Sequence, residues 1–200
     1  MNVYVEANFV LELALMQEEH ENCENILLLC ESAKAKLIVP AFSLTEPYET
    51  LVRRDKDRKQ LAQTVKNELR ELGRSKPYQT ETSAYQAFAN LLTRSGKEEQ
   101  QRLFYLQDRL LMVGEIIPLG REILSAAAQF QIKHGLSPQD SIVYASVLQH
   151  LQSSTQATGC FLNRNSRDFD DPDIEESLAQ YHCKVLFSFK HGFEYIQRFA

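Results

Sequence analysis

Val3-Tyr4-Val5-Glu6-Ala7-Asn8-Phe9-Val10 is the stretch on which the fold class turns. Three β-prone side chains lead to an acid, after which Phe9, Val10, Leu13 and Met16 recur at helical spacing, so a buried strand passes directly into a helix. The same order returns downstream. A helix over residues 21–33 precedes Lys36-Leu37-Ile38-Val39-Pro40, a buried strand closed by proline, and Ser43-Leu44-Thr45-Glu46 carries the S-x-x-E pattern of a helix start. Residues 114–119 read as a short strand and 121–133 as a helix, and Ser137-Pro138 opens another helix with serine at the cap and proline at its first position. Cys160-Phe161-Leu162 is a further strand that runs into a polar turn over residues 163–168, and residues 184–189 are a last strand before a terminal helix. Alternation of this kind predicts an α/β fold with a parallel sheet covered on both faces. Ligands then bind on the rim where the carboxyl ends of the strands meet the helix starts.

Residues 53–113 interrupt the alternation. The pattern there is long, charged and helical, with breaks expected at residues 73–77 and at Ser95-Gly96, and Leu61, Val65, Leu69 and Leu72 share one face. We read it as a helical insertion within one domain spanning residues 1–200. Residues 53–76 hold nine Lys or Arg against Asp55, Asp57, Glu68 and Glu71, a local +5 in a chain whose net charge is −5. That surface is either a solvated helix face laced with i,i+4 ion pairs or an RNA-tracking face, with Arg53 and Arg54 as candidate substrate contacts.

The remaining composition narrows the class. A net charge of −5 argues against coating nucleic acid by bulk electrostatics, although a local patch can still hold phosphates. No glycine precedes Gly73, so neither a phosphate loop nor a dinucleotide fingerprint can occupy the first strand-helix turn, and there is no GxSxG elbow. Cys23, Cys30, Cys160 and Cys183 lack CxxC spacing and sit in apolar contexts, which predicts buried reduced thiols and a cytoplasmic compartment. The five histidines show no local metal-binding spacing, which argues against a zinc enzyme. Apolar runs such as residues 26–30 are far too short to span a bilayer, and the acid at Glu6 does not suit a signal peptide, so no membrane association is expected.

Four acids stand at element edges: Glu6 after the first strand, Glu46 and Asp140 in first helical turns, and Asp168 after a later strand. On a parallel sheet these can converge on one rim, and crowded carboxylates suit hard cations that activate water and steady phosphoryl charge. Each also has a plainer role. Glu46 and Asp140 fit capping boxes with Ser43 and Ser137, Glu6 a surface strand end, and Asp168 a solvated turn shared with Asp170, Asp171 and Asp173.

Four local patterns, in order, resemble the PIN-domain family. Val3 to Val10 resembles its opening strand, in which an Asp is followed two residues later by Asn. Pro40-Ala41-Phe42-Ser43-Leu44-Thr45-Glu46 is similar to its second motif, a strand ending in proline and a helix bearing Glu. Leu136-Ser137-Pro138-Gln139-Asp140, followed by an apolar helix, is similar to the third, and Phe161-Leu162-Asn163-Arg164-Asn165-Ser166-Arg167-Asp168-Phe169 to the fourth. The resemblance implies a three-layer fold with a small parallel sheet between helices, a pocket for Mg²⁺ or Mn²⁺, and hydrolysis of RNA phosphodiester bonds. It implies Glu6, Glu46 and Asp140 as metal-holding and catalytic acids, completed by Asp168 or Asn165, and Asn163 and Asn165 as substrate contacts. An antitoxin-like protein partner and a homodimer are compatible with it. Two departures stand out: Glu6 replaces the usual Asp, and Asn163 and Asn165 are neutral where the family often has a hydroxyl and an acid. The alternative is therefore a catalytically weakened PIN-like domain that binds RNA or protein.

Overall fold

The structure is a computed structural model that describes residues 1–80, 82–154 and 158–199. β1 (Asn2–Val5) enters α1 (Ala7–Leu15), and α2 (His20–Glu31) leads to β2 (Lys36–Pro40). Two long helices follow, α3 (Ala41–Leu72) and α4 (Thr82–Val113), then β3 (Glu115–Ile117), α5 (Arg121–His134) and α6 (Pro138–Ser153). β4 (Gly159–Leu162), the short α7 (Ser166–Phe169), α8 (Pro172–Ala179), β5 (Cys183–Leu186) and α9 (Phe189–Ile196) complete the order.

The strands form one parallel sheet in the order β3-β2-β1-β4-β5, with Val3 paired to Leu37 on one side and to Cys160 on the other. Side chains alternate across it. Val3, Val5, Leu37, Val39, Cys160 and Leu162 face a core layer built from α1, α2, α4 and α9, whereas Tyr4, Ile38 and Phe161 face α5, α6 and α8. Both faces are dry, which is why these strands read as continuous apolar runs. All four cysteines are free and buried, as expected.

The helical segment differs from expectation in two places. Ser43 does not cap a helix: α3 begins at Ala41 behind Pro40, so Ser43 lies inside the first turns, buried, with its hydroxyl unpartnered. Pro40 ends β2 and its fixed φ delivers the chain straight into the helix. Nor does Ser95-Gly96 break α4, which continues through it. Gly96 is a crossing point instead. A Cβ there would sit 2.3 Å from Asp55 Oδ1, so the missing side chain lets α3 and α4 approach, and Arg58 crosses the same contact to Ser95 Oγ at 3.2 Å and to Glu99 at 2.6 Å. The break at residues 73–77 is real, since α3 stops at Leu72 and a 3-10 turn spans Lys76–Tyr78.

At its base the hairpin joins the core through Leu103, Leu106 and Leu110. Arg102 donates to the Ala14 carbonyl at 2.7 Å, and Gln107 donates to the Leu44 carbonyl at 2.8 Å. α7 begins within the polar turn expected over residues 163–168, and α8 fills part of the stretch before β5. Asp171-Pro172, an acid at the cap and proline at the first position, was the available signal.

Alanine at an exposed helical glycine ordinarily stabilises by about 1 kcal/mol. At Gly96 the opposite is expected: Gly96→Ala should lower stability by about 1–3 kcal/mol, because Asp55 is buried and tied to Lys59, so the new methyl overpacks the crossing. Denaturant unfolding of the two proteins checks this, and a gain in stability would show that the crossing has slack.

Candidate active site at the carboxyl rim of the sheet

Strand order reverses at β1: the chain moves from β1 to β2 and β3 on one side, then returns to β4 and β5 on the other. A crevice opens outside the carboxyl ends of β1 and β4, where α/β sheets bind ligands. It holds a cleft of about 500 Å³ whose lining includes Glu6, Asn8, Glu12, Glu46, Arg54, Asp140, Arg164 and Asn165.

Glu6 follows β1 and caps α1. Its Oε2 accepts from the Asn8 N–H at 3.0 Å, and Oε1 is buried with no partner. At 6% exposure it is not the surface residue that a strand end allows. Glu46 reaches the cleft from the second turn of α3. Asp140 comes from the first turn of α6, where its backbone N–H donates to Ser137 Oγ at 3.1 Å and its carboxylate accepts from that hydroxyl at 2.6 Å. The capping role is thus real for Asp140, and its side chain faces the cleft as well.

Burial pushes the Glu6 carboxyl up to about 7, opposed by the Asn8 bond and reinforced by the charges of Glu46 and Asp140. Burial also raises Glu46, with Asp140 and Glu49 adding to the effect. Among the described residues no Lys, Arg or His lies within 4.0 Å of the carboxylates of Glu6, Glu46 or Asp140, so this repulsion has no direct counter-charge from the protein. The cations that line the cleft are Arg54 and Arg164, and Arg164 is engaged with buried Glu12.

The remaining sequence candidates divide. Asn165 lines the cleft and donates to Asp140 Oδ2 at 3.3 Å and to Asp168 Oδ2 at 2.6 Å. Asp168 therefore stands behind Asn165 and lines a neighbouring hollow instead. Asn163 is buried and shapes the backbone, its side-chain oxygen accepting from the Asn165 N–H at 2.7 Å. Arg54 lines the cleft, whereas Arg53 is exposed outside its lining. Glu12 and Arg164 were missed. A glutamate within the apolar stripe of α1 was the visible clue, since a buried acid needs a partner, but the partner lies 152 residues away.

The raised Glu6 carboxyl makes stability pH dependent. Between its ordinary 4.5 and about 7 the folded chain holds a proton that the unfolded chain has released, so this contribution is full below 4.5 and is lost as pH rises through 7. In chelator, the melting temperature of the parent should fall across that window more steeply than that of Glu6→Gln, which keeps an oxygen for the Asn8 N–H. Parallel melting curves for the two proteins would remove Glu6 as the titrating group.

The PIN domain family matches residues 3–169. No curated protein matches the chain. Among solved structures, the crystal structure of VapBC2 from Rickettsia felis bound to a DNA fragment from its promoter is similar at 12% identity, covering 93% of this chain and 98% of that chain. Its TM-score of 0.46 is too low to carry a functional argument. Among the described residues no helix is long and apolar enough to cross a membrane. The family match extends from the first strand to the turn after the fourth, across every rim residue described above, and the chain belongs to the PIN-domain family.

Proposed function

We propose that the chain is a divalent-metal-dependent ribonuclease that hydrolyses RNA phosphodiester bonds in the rim cleft. The observation that carries this reading is that three carboxylates line one cleft and, among the described residues, no cationic side chain lies within 4.0 Å of them, one of the three having a buried oxygen with no partner there. All-oxygen donors of that kind fit Mg²⁺ or Mn²⁺. Glu6, Glu46 and Asp140 would hold the ion, and Asp168 would act through Asn165 to fix the Asp140 carboxylate. When bound, the ion supplies an activated water and neutralises charge on the phosphoryl group.

The chain's own residues do the rest. Arg54 and Arg164, which line the same cleft, would meet the phosphate backbone, and Glu12 restrains Arg164 so that less side-chain freedom is lost on binding. Asn165 offers an amide at the same mouth. Exposed Phe104, Tyr105 and Met112 on α4 support a protein contact, such as an antitoxin-like partner or a second copy, away from the sheet.

A specific observation also favours the weaker reading. Glu6 is buried, raised towards neutrality and already used as a helix cap, so an RNA-binding module without catalysis would show the same contacts.

Asp140→Asn separates the two. The amide still accepts from Ser137, so the metal-free melting temperature should be unchanged or slightly higher as repulsion eases. Cleavage of a labelled single-stranded RNA with Mn²⁺ should fall by about a hundredfold or more, and Mn²⁺ should no longer raise the melting temperature. Arg54→Glu should instead weaken RNA binding and reduce its salt dependence. RNA binding with no cleavage by the parent at any Mn²⁺ concentration would select the binding module.

A further inference from the structure

A second set of donors lies between the end of α5 and the start of α8. His134 is the last residue of α5, Asp171 caps α8, and Asp173 lies in its first turn. One ring nitrogen of His134 and one carboxylate oxygen from each aspartate lie within 4.8 Å of one another. The His134 side chain is only 2% exposed. Among the described residues its Nε2 is buried without a hydrogen-bond partner, and its Nδ1 stands 3.7 Å from Asp171 Oδ2, beyond hydrogen-bond reach. Phe130 and Tyr144 pack on the ring at 5.8 and 5.9 Å between centroids, which holds it in place by apolar contact.

A buried imidazole nitrogen without a partner among the described residues is costly. The neighbours on its open side are carboxylates, which accept hydrogen bonds and cannot serve a ring lone pair. Asp171 Oδ1 already accepts from the Asp173 N–H at 2.8 Å, so Oδ2, the oxygen facing His134, is left for another partner. Asp168 and Asp170 line the same hollow of about 410 Å³. Arg167 lines it too, yet among the described residues it comes within 4.0 Å of none of these carboxylates. A cation between Nδ1 and Asp171 Oδ2 would take the Nδ1 lone pair and neutralise the acids together.

We infer that His134, Asp171 and Asp173 form a second divalent-cation site, separate from the rim cleft. One imidazole and two carboxylates suit Zn²⁺, and to a lesser degree Mn²⁺, better than Mg²⁺, with water completing the shell. The ion fastens the carboxyl end of α5 to the amino end of α8. The site is independent of any activity on RNA.

Zinc titration of the chelator-stripped full chain by calorimetry tests the inference. The parent should bind two equivalents. Asp173→Asn, at an exposed position, and His134→Gln should each weaken one of them by at least about tenfold, while Asp140→Asn weakens the other. Because a buried histidine variant can lose stability for packing reasons, melting is the second readout: Zn²⁺ should raise the melting temperature of Asp140→Asn but not of the Asp140→Asn, Asp173→Asn double variant. Unchanged zinc affinity and stoichiometry in Asp173→Asn would overturn the site. A count unaffected by Asp140→Asn but lowered by Asp173→Asn would sink the rim reading and keep this one.

Discussion

All strands of the sheet run in one direction, with β1 hydrogen-bonded to β2 and β4 on its two sides, and that shared direction constrains everything around it. A parallel sheet hides both faces, so each return of the chain must be a covering helix, and every strand ends on the same rim. Because the order reverses at β1, the helices after β1 and β4 diverge and leave the rim open between them. Val5 pairs with Leu162, so the next residues along, Glu6 and Asn163, leave the sheet side by side. Glu46 and Asp140 arrive from helices that start on that same rim.

The strand-helix alternation was legible because both-face burial writes it as unbroken apolar runs, and β2 was read to its exact bounds for that reason. Three rim acids were legible because each sits beside a punctuation mark: the end of Val3-Tyr4-Val5, the Pro40 turn, and Ser137-Pro138. What escaped reading depends on tertiary contact. Gly96 looks like a helix breaker until Asp55 is seen against it, and Ser43 looks like a cap until Pro40 is found delivering the chain three residues earlier. The Glu12 to Arg164 pair and the approach of His134 to Asp171 join residues far apart in the chain, and no local period records such a distance.

Buried acids in this chain are handled in two ways. Glu12 accepts from Arg164 and from the Glu19 N–H, Asp55 is held by Lys59, and Glu99 by Arg58, so each burial is matched by a positive group. Breaking such a pair strands a charge, which is far more damaging than losing a surface contact. Among the described residues no positive group lies within 4.0 Å of Glu6. Its neighbours on the rim are other acids, and that contrast within one chain sets the rim apart from the other buried acids.

α3 is unbroken for 32 residues, so Glu46 near its base, Arg54 two turns on, and the basic stretch beyond belong to one rod. From Glu46 to Leu72 the rise is about 40 Å at the usual pitch. A tilt of roughly 5° at the base would carry the far end through about 3 Å, and a molecule gripping that end would work against the base with the same leverage. Pro47, which has no N–H to give to the preceding turn, sits beside Glu46 at the fulcrum, where bending is easiest. Whatever seizes the distal end of the hairpin therefore pulls on the same helix that carries Glu46, with Pro47 as the point that sets how much of the pull arrives there.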